Sequence, residues 1–94
     1  MRVRVAAAAL NQTPLDWDNN LHNIRGAIRQ ARAQQASILC LPEMCITGYG
    51  CEDAFLSPAV QRTAWDVLQE VLPDTQGMVV SLGLPLMVRK AVYN

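Results

Sequence analysis

The chain has 94 residues, 51% of them apolar, with eight basic and eight acidic side chains and zero formal net charge. This composition supports one small domain with a core and excludes a chain disordered by composition. It also excludes a nucleic-acid groove and an anionic-membrane binder, which need clustered Lys and Arg, and no apolar run nears the roughly 20 residues of a membrane span.

Residues 2–10, RVRVAAAAL, alternate at first and then run continuously apolar. The pattern predicts a strand whose later part is buried on both faces. The opening MRVRVAAAAL is like a signal peptide only superficially, because its apolar part is short and no small-residue cleavage site follows. NQTP breaks the strand, with Thr13 and Pro14 in a turn and Asp16 placed to cap a helix. Trp17, Leu21, Ile24, Ile28 and Ala31 fall on one helical stripe, which predicts a helix over 18–34. Asn20, Asn23, Arg25, Arg29 and Gln30 are assigned to its water face.

SILCLP follows as a short strand stopped by Pro42. Strand, helix and strand make a βαβ unit, a parallel pair joined by a right-handed crossover. Functional groups gather at the carboxyl ends of such strands, where Glu43 lies. Ser57 as N-cap and Pro58 at the first helical position open a second helix over 58–72. Its stripe is Val60, Ala64, Val67, Leu68 and Val71, and Pro73 and Asp74 end it. MVVSLGLPLMV reads as a third strand interrupted by Gly83 and Pro85, and RKAVYN as a turn and the start of a fourth. The expectation is an α/β fold of about four strands in a mixed sheet. Two helices on one face would bury Leu21, Ile24, Ile28, Val60, Val67 and Leu68.

Chemistry concentrates in LPEMCITGYGCEDAF, residues 41–55. Glu43 beside the apolar SILCL is expected to be partly desolvated, which would favour it as a base near neutral pH. The plainer alternative is a carboxylate that caps backbone or pairs with an Arg. Cys40, inside the apolar run, reads as a small core residue. Cys45 invites a thiol–carboxylate pair with Glu43, but Cys45 and Cys51 have only acids nearby, and an activated thiol needs a cation or base. The cysteine spacing matches no zinc pattern, and His22 reads as a surface or boundary residue on the first helix. Three cysteines in close sequence fit a reduced, cytoplasmic setting. Gly48 and Gly50 allow a tight loop around Tyr49. Tyr49 either presents its ring or hydroxyl to a ligand or packs the loop. Glu52 and Asp53 read as a helix-start or surface pair, and the glycines form no nucleotide-binding pattern.

These residues resemble the nitrilase, or carbon–nitrogen hydrolase, superfamily, on the first strand, the helix NLHNIRGAIRQARAQQA and SILCLPEMCITGY. ALNQTPLDWDNN, LPEMCITGYGCEDAF and GLPLMVRKAVYN are similar to the glutaminase domain of glutamine-dependent NAD synthetases. The resemblance implies that residues 1–94 are the N-terminal portion of a glutaminase domain, part of a four-layer αββα sandwich. It implies a Glu-Lys-Cys triad with Glu43 as general base and Tyr49 lining the glutamine pocket. Lys90 matches no triad lysine, and none of Cys40, Cys45 and Cys51 matches the nucleophile. Both partners are expected in segments after residue 94, so the 94 residues alone are expected to be inactive. No cofactor is implied within them; ATP and magnesium are implied for a separate synthetase domain. The implied partners are glutamine, deamido-NAD and ATP, with homo-oligomeric assembly, and no nucleic acid or membrane. Two alternatives stand beside this reading: another amidase of the superfamily, and a noncatalytic binding remnant.

Overall fold

The computed structural model describes residues 1–94. Its elements in chain order are β1 (Val5–Ala7), α1 (Trp17–Ala33), β2 (Ile38–Cys40), a 3-10 turn (Glu52–Leu56), α2 (Pro58–Val71), a second 3-10 turn (Leu72–Thr75), β3 (Val79–Ser81), β4 (Leu86–Val88) and β5 (Ala91–Tyr93). The fold is α/β. Five strands replace the expected four, and they form two sheets: a parallel sheet ordered β1-β2-β3, and an antiparallel hairpin of β4 and β5. The run 78–88 splits because residues 82–85, LGLP, leave the first ladder before β4 begins. Proline has no ladder N–H to donate, so Pro85 favours that exit.

The register explains which side chains are covered. Ala6, Leu39 and Val80 are Cα partners across the sheet. They face the two helices, with Leu39 fully buried and Ala6 and Val80 packed against the core. On either side of this row lie Val5, Ile38 and Val79, one residue before it, and Ala7, Cys40 and Ser81, one residue after it. Strand side chains alternate between faces, so these rows turn away from the helices. Val5, Ala7, Cys40 and Val79 are exposed. Two sequence expectations are not met within residues 1–94: the first strand is not buried on both faces, and Cys40 is exposed. Both follow from a sheet that is covered by helices on one side only. No helix is long and apolar enough to cross a membrane.

Helix α1 forms where the stripe placed it. Asp16 is its N-cap, with its side chain accepting from the Asn19 backbone N–H and from the Asn19 amide at 2.8 Å. The helix ends in a 6→1 bond from Ala36 N–H to Ala31 C=O at 2.9 Å, with Gln35 in the left-handed region at φ 62°. This is the closure that glycine usually serves. Leu21, Ile24, Ala27, Ile28 and Ala31 are buried. In α2, Ala64, Val67 and Val71 are buried, while Val60 and Leu68 are only half-buried. Ser57 is the N-cap by position, yet its hydroxyl makes no capping bond. Gln61 is buried in that first turn instead, and donates to the Phe55 carbonyl at 2.9 Å.

Asn20 also departs from expectation. It is 1% exposed, not on a water face, because the loop at Thr13 and the loop at Ile46 fold over this end of α1. Arg25 leaves α1 to meet Asp74 at 2.8 Å, and Arg32 donates to the Gln76 and Asp74 carbonyls, so the second 3-10 turn is tied to α1. Asp74 holds the Arg25 guanidinium above its ordinary value by a hydrogen bond and charge.

The hairpin turn is Arg89–Lys90, at φ 48° and 68°. Val88 pairs with Ala91 across it. Two successive positive φ angles in a two-residue loop mark the I′ geometry that matches strand twist and usually calls for Asn-Gly.

Candidate functional site

The ladder of the parallel sheet runs one residue past β2, through a bond from Leu41 N–H to Ser81 C=O at 2.9 Å. The chain then turns sharply out of the sheet. Met44, immediately after Glu43, takes a left-handed conformation at φ 52°. For a long, non-glycine side chain this costs roughly 1–2 kcal/mol, so surrounding contacts must hold it. The Met44 carbonyl accepts from Gly48 N–H at 2.9 Å, and Ile46 N–H donates to Gly83 C=O at 3.2 Å. Gly83 presses against this turn. A Cβ there would strike the Met44 backbone nitrogen and approach the Glu43 carbonyl carbon to 3.2 Å. The turn after Glu43 therefore fits only because residue 83 has no side chain.

Glu43 stands at this exit, exposed, beside an open cleft of about 360 Å³ between residues 41–43, residues 81–83 and Asn94. Its Oε1 accepts from the Asn94 Nδ2 at 3.1 Å. Within residues 1–94 the desolvation expected from SILCL does not extend to Glu43: Leu39 and Leu41 are buried while Glu43 is exposed. No Arg is paired with Glu43 and no backbone N–H is capped by it; its one hydrogen-bond partner is Asn94.

The loop that follows is firmly seated. Gly48 sits at φ 82°, where a Cβ would lie 2.7 Å from the Thr13 carbonyl oxygen and 2.8 Å from the Pro14 nitrogen. Leu15 N–H donates to Thr47 C=O at 2.7 Å. The Gln12 amide donates to the carbonyls of Cys45 and Asn20, and Asn23 donates to the Gln12 oxygen. Next to this rigid backbone Tyr49 is 67% exposed, so its ring contributes little packing and is presented to solvent. It does not line the cleft at Glu43.

No cysteine lines the cleft at Glu43. Cys45 is 1% exposed, and burial pushes its thiol above the ordinary value of 9.0, against smaller effects of backbone hydrogen bonds at Gly83 and at its own residue. Cys51 is buried and donates to the Gly48 carbonyl at 3.3 Å. The thiol–carboxylate pair with Glu43 does not form. His22, Glu52 and Asp53 are exposed, as the sequence reading had them. Sequence reasoning missed Asn20, Gly83 and Asn94. Only Gly83 carried a signal, as a glycine interrupting an apolar run.

The model of the carbon–nitrogen hydrolase family matches residues 4–94. The chain belongs to the carbon–nitrogen hydrolase family. Among family relatives, a glutamine-dependent NAD(+) synthetase of Oryza sativa subsp. indica is 39% identical over 94 residues, 98% of this chain and 13% of that protein. The crystal structure of a glutamine-dependent NAD(+) synthetase from Cytophaga hutchinsonii matches with a TM-score of 0.94 at 49% identity. That match covers 98% of this chain and 16% of the other. A family amidase from Nesterenkonia sp. AN1 matches at TM-score 0.73 and 26% identity, over 88% of this chain and 32% of that one. It was solved in complex with acrylamide as a double mutant lacking one glutamate and one cysteine. The chain thus spans about 13% of the length of the curated relatives it matches.

Proposed function

We propose that residues 1–94 supply the general base of a glutaminase that feeds ammonia to NAD synthesis. The observation that carries this is Glu43, standing at the carboxyl end of β2, exposed to a cleft and fixed by Asn94. The resemblance of the surrounding residues to NAD synthetases supports glutamine as the amide. The same resemblance makes Tyr49, exposed on a seated loop outside that cleft, a glutamine contact.

Glu43 takes the thiol proton of a cysteine as the sulfur bonds to the glutamine amide carbon. A lysine supports the oxyanion. The carbon–nitrogen bond breaks, Glu43 returns the proton to the leaving ammonia, and a glutamyl thioester remains. Glu43 then takes a proton from water as the water oxygen attacks, and the thiol leaves with that proton as glutamate is released. The cysteine and lysine come from segments after residue 94. Residues 1–94 by themselves give no turnover, because a base alone contributes only about 10²–10⁴-fold.

No three of His, Cys, Asp and Glu cluster here to hold a metal ion, and no step above runs through ATP or magnesium. ATP would be consumed with deamido-NAD, with magnesium as the counter-ion of its phosphates, elsewhere in the parent enzyme, which we place in the cytoplasm as a homo-oligomer. Glu43→Gln in the intact gene product should abolish ammonia release from glutamine and spare NAD synthesis from added ammonium. Full retention of glutamine-driven release would sink the reading. The match to an amidase solved with acrylamide favours a second one, a small-amide amidase. Release of ammonia from acrylamide or propionamide in preference to glutamine would decide for it.

A further inference from the structure

Glu43 reaches its position from one segment only, yet three segments converge on it. The exit of β2 brings the carboxylate. The 82–85 connection brings Gly83. The hairpin brings Asn94, because the register that pairs Leu86 with Tyr93 sets the next residue opposite Pro85, beside the Glu43 turn. The missing side chain of Gly83 makes the meeting possible, since a Cβ there would come within 2.9 Å of the Asn94 Oδ1 as well as striking the Glu43–Met44 backbone. The result is one side-chain hydrogen bond, from Asn94 Nδ2 to Glu43 Oε1, at 3.1 Å.

We propose that Asn94 is the positioning residue for Glu43, and that Gly83 is the gap that admits it. This rests on the reading of Glu43 as the base. An exposed glutamate otherwise samples many rotamers, and a proton acceptor displaced by about 1 Å can lose about 10²-fold in rate. Asn94 suits the task chemically. Its amide is neutral, so it orients the carboxylate without neutralising it as a paired Arg or Lys would. It has no proton to give up and engages one oxygen, which leaves Oε2 free to take a proton.

The test uses the intact gene product with three variants: Glu43→Gln, Asn94→Ala and Asn94→Asp. The aspartate keeps the shape of Asn94 but replaces the donor with an oxygen that repels the carboxylate. Both Asn94 variants should lower kcat for glutamine hydrolysis by about 10–100-fold, with KM for glutamine within about twofold and the melting temperature unchanged. A packing role would leave Asn94→Asp active, or would lower activity only in step with melting temperature; either result overturns the proposal. If Glu43→Gln is dead and Asn94→Asp keeps full kcat, the Asn94 assignment alone falls. If Glu43→Gln is fully active, the base reading falls and takes this one with it.

Discussion

Asn20 holds Thr13 by both backbone groups: its Oδ1 accepts from Thr13 N–H at 3.0 Å, and its Nδ2 donates to Thr13 C=O at 2.8 Å. The same Nδ2 donates to Ile46 C=O at 3.3 Å. One buried amide therefore binds the loop before α1 to the loop after Glu43. Asn20→Ala leaves those backbone groups without partners, at a cost of about 1–3 kcal/mol. The urea midpoint of the intact gene product should fall accordingly. Asn20→Asp, which keeps only the acceptor, should recover part of the loss. An unchanged midpoint in Asn20→Ala would remove the bracing role.

Gly48 and Gly77 separate crowding from backbone conformation. Both have positive φ, but a Cβ on Gly77 meets nothing within 4 Å, whereas one on Gly48 collides with the Thr13–Pro14 backbone. Gly77→Ala should cost about 1–2 kcal/mol, the left-handed penalty alone. Gly48→Ala should cost clearly more and displace the Tyr49 loop. Denaturant unfolding of the two variants side by side checks this, and equal costs would refute the collision.

Gln35 occupies the left-handed closure of α1 with a residue poorly suited to it. Gln35→Gly relieves that strain and should stabilise the protein by up to about 1 kcal/mol, net of the extra freedom glycine gains when unfolded. A rise in melting temperature is the expected readout. A fall would show that the Gln35 side chain contributes more than its backbone costs.

Cys45 gives a pH dependence. Its folded thiol titrates above the ordinary value of 9.0 because burial disfavours the thiolate. Below the ordinary value both states are protonated and the contribution is fully present. As pH rises past it, the unfolded thiol ionises first, so stability declines until the folded pKa is passed. Cys45→Ala should flatten that alkaline decline. Iodoacetamide at neutral pH should label Cys45 and Cys51 only slowly, since both are buried. Rapid labelling of native Cys45 would contradict its burial.

The helices and the βαβ unit were legible because each rests on local periodicity: Leu21, Ile24 and Ile28 mark a stripe whatever the rest of the chain does. Glu43 was placed correctly for a similar reason, since a strand stopped by Pro42 must deliver the next residue to the sheet end. What failed depended on contacts far apart in sequence. Cys40 looks buried in SILCLP, but its exposure follows from strand parity and from which face the helices cover. Asn20 looks like a solvated helix residue until the segment leading into α1 and the distant loop at Ile46 close over it. Asn94 has no pattern of its own, because its place is set by a hairpin register and a bare glycine. Glu43 is exposed within residues 1–94 because the chain turns out of the sheet after Leu41, a turn that its apolar sequence neighbours do not announce.

The two kinds of strand pairing imply a sequence of events during folding. The β4–β5 hairpin closes around Arg89–Lys90 alone, and hairpins form in about 1–10 μs. The parallel sheet joins residue 5 to 38 and 38 to 79, so it must wait for both crossovers to be laid down. Asn94 travels with the fast element and Glu43 with the slow one. Their hydrogen bond is therefore expected to form last in this region, with Glu43 set in place only once the sheet has assembled.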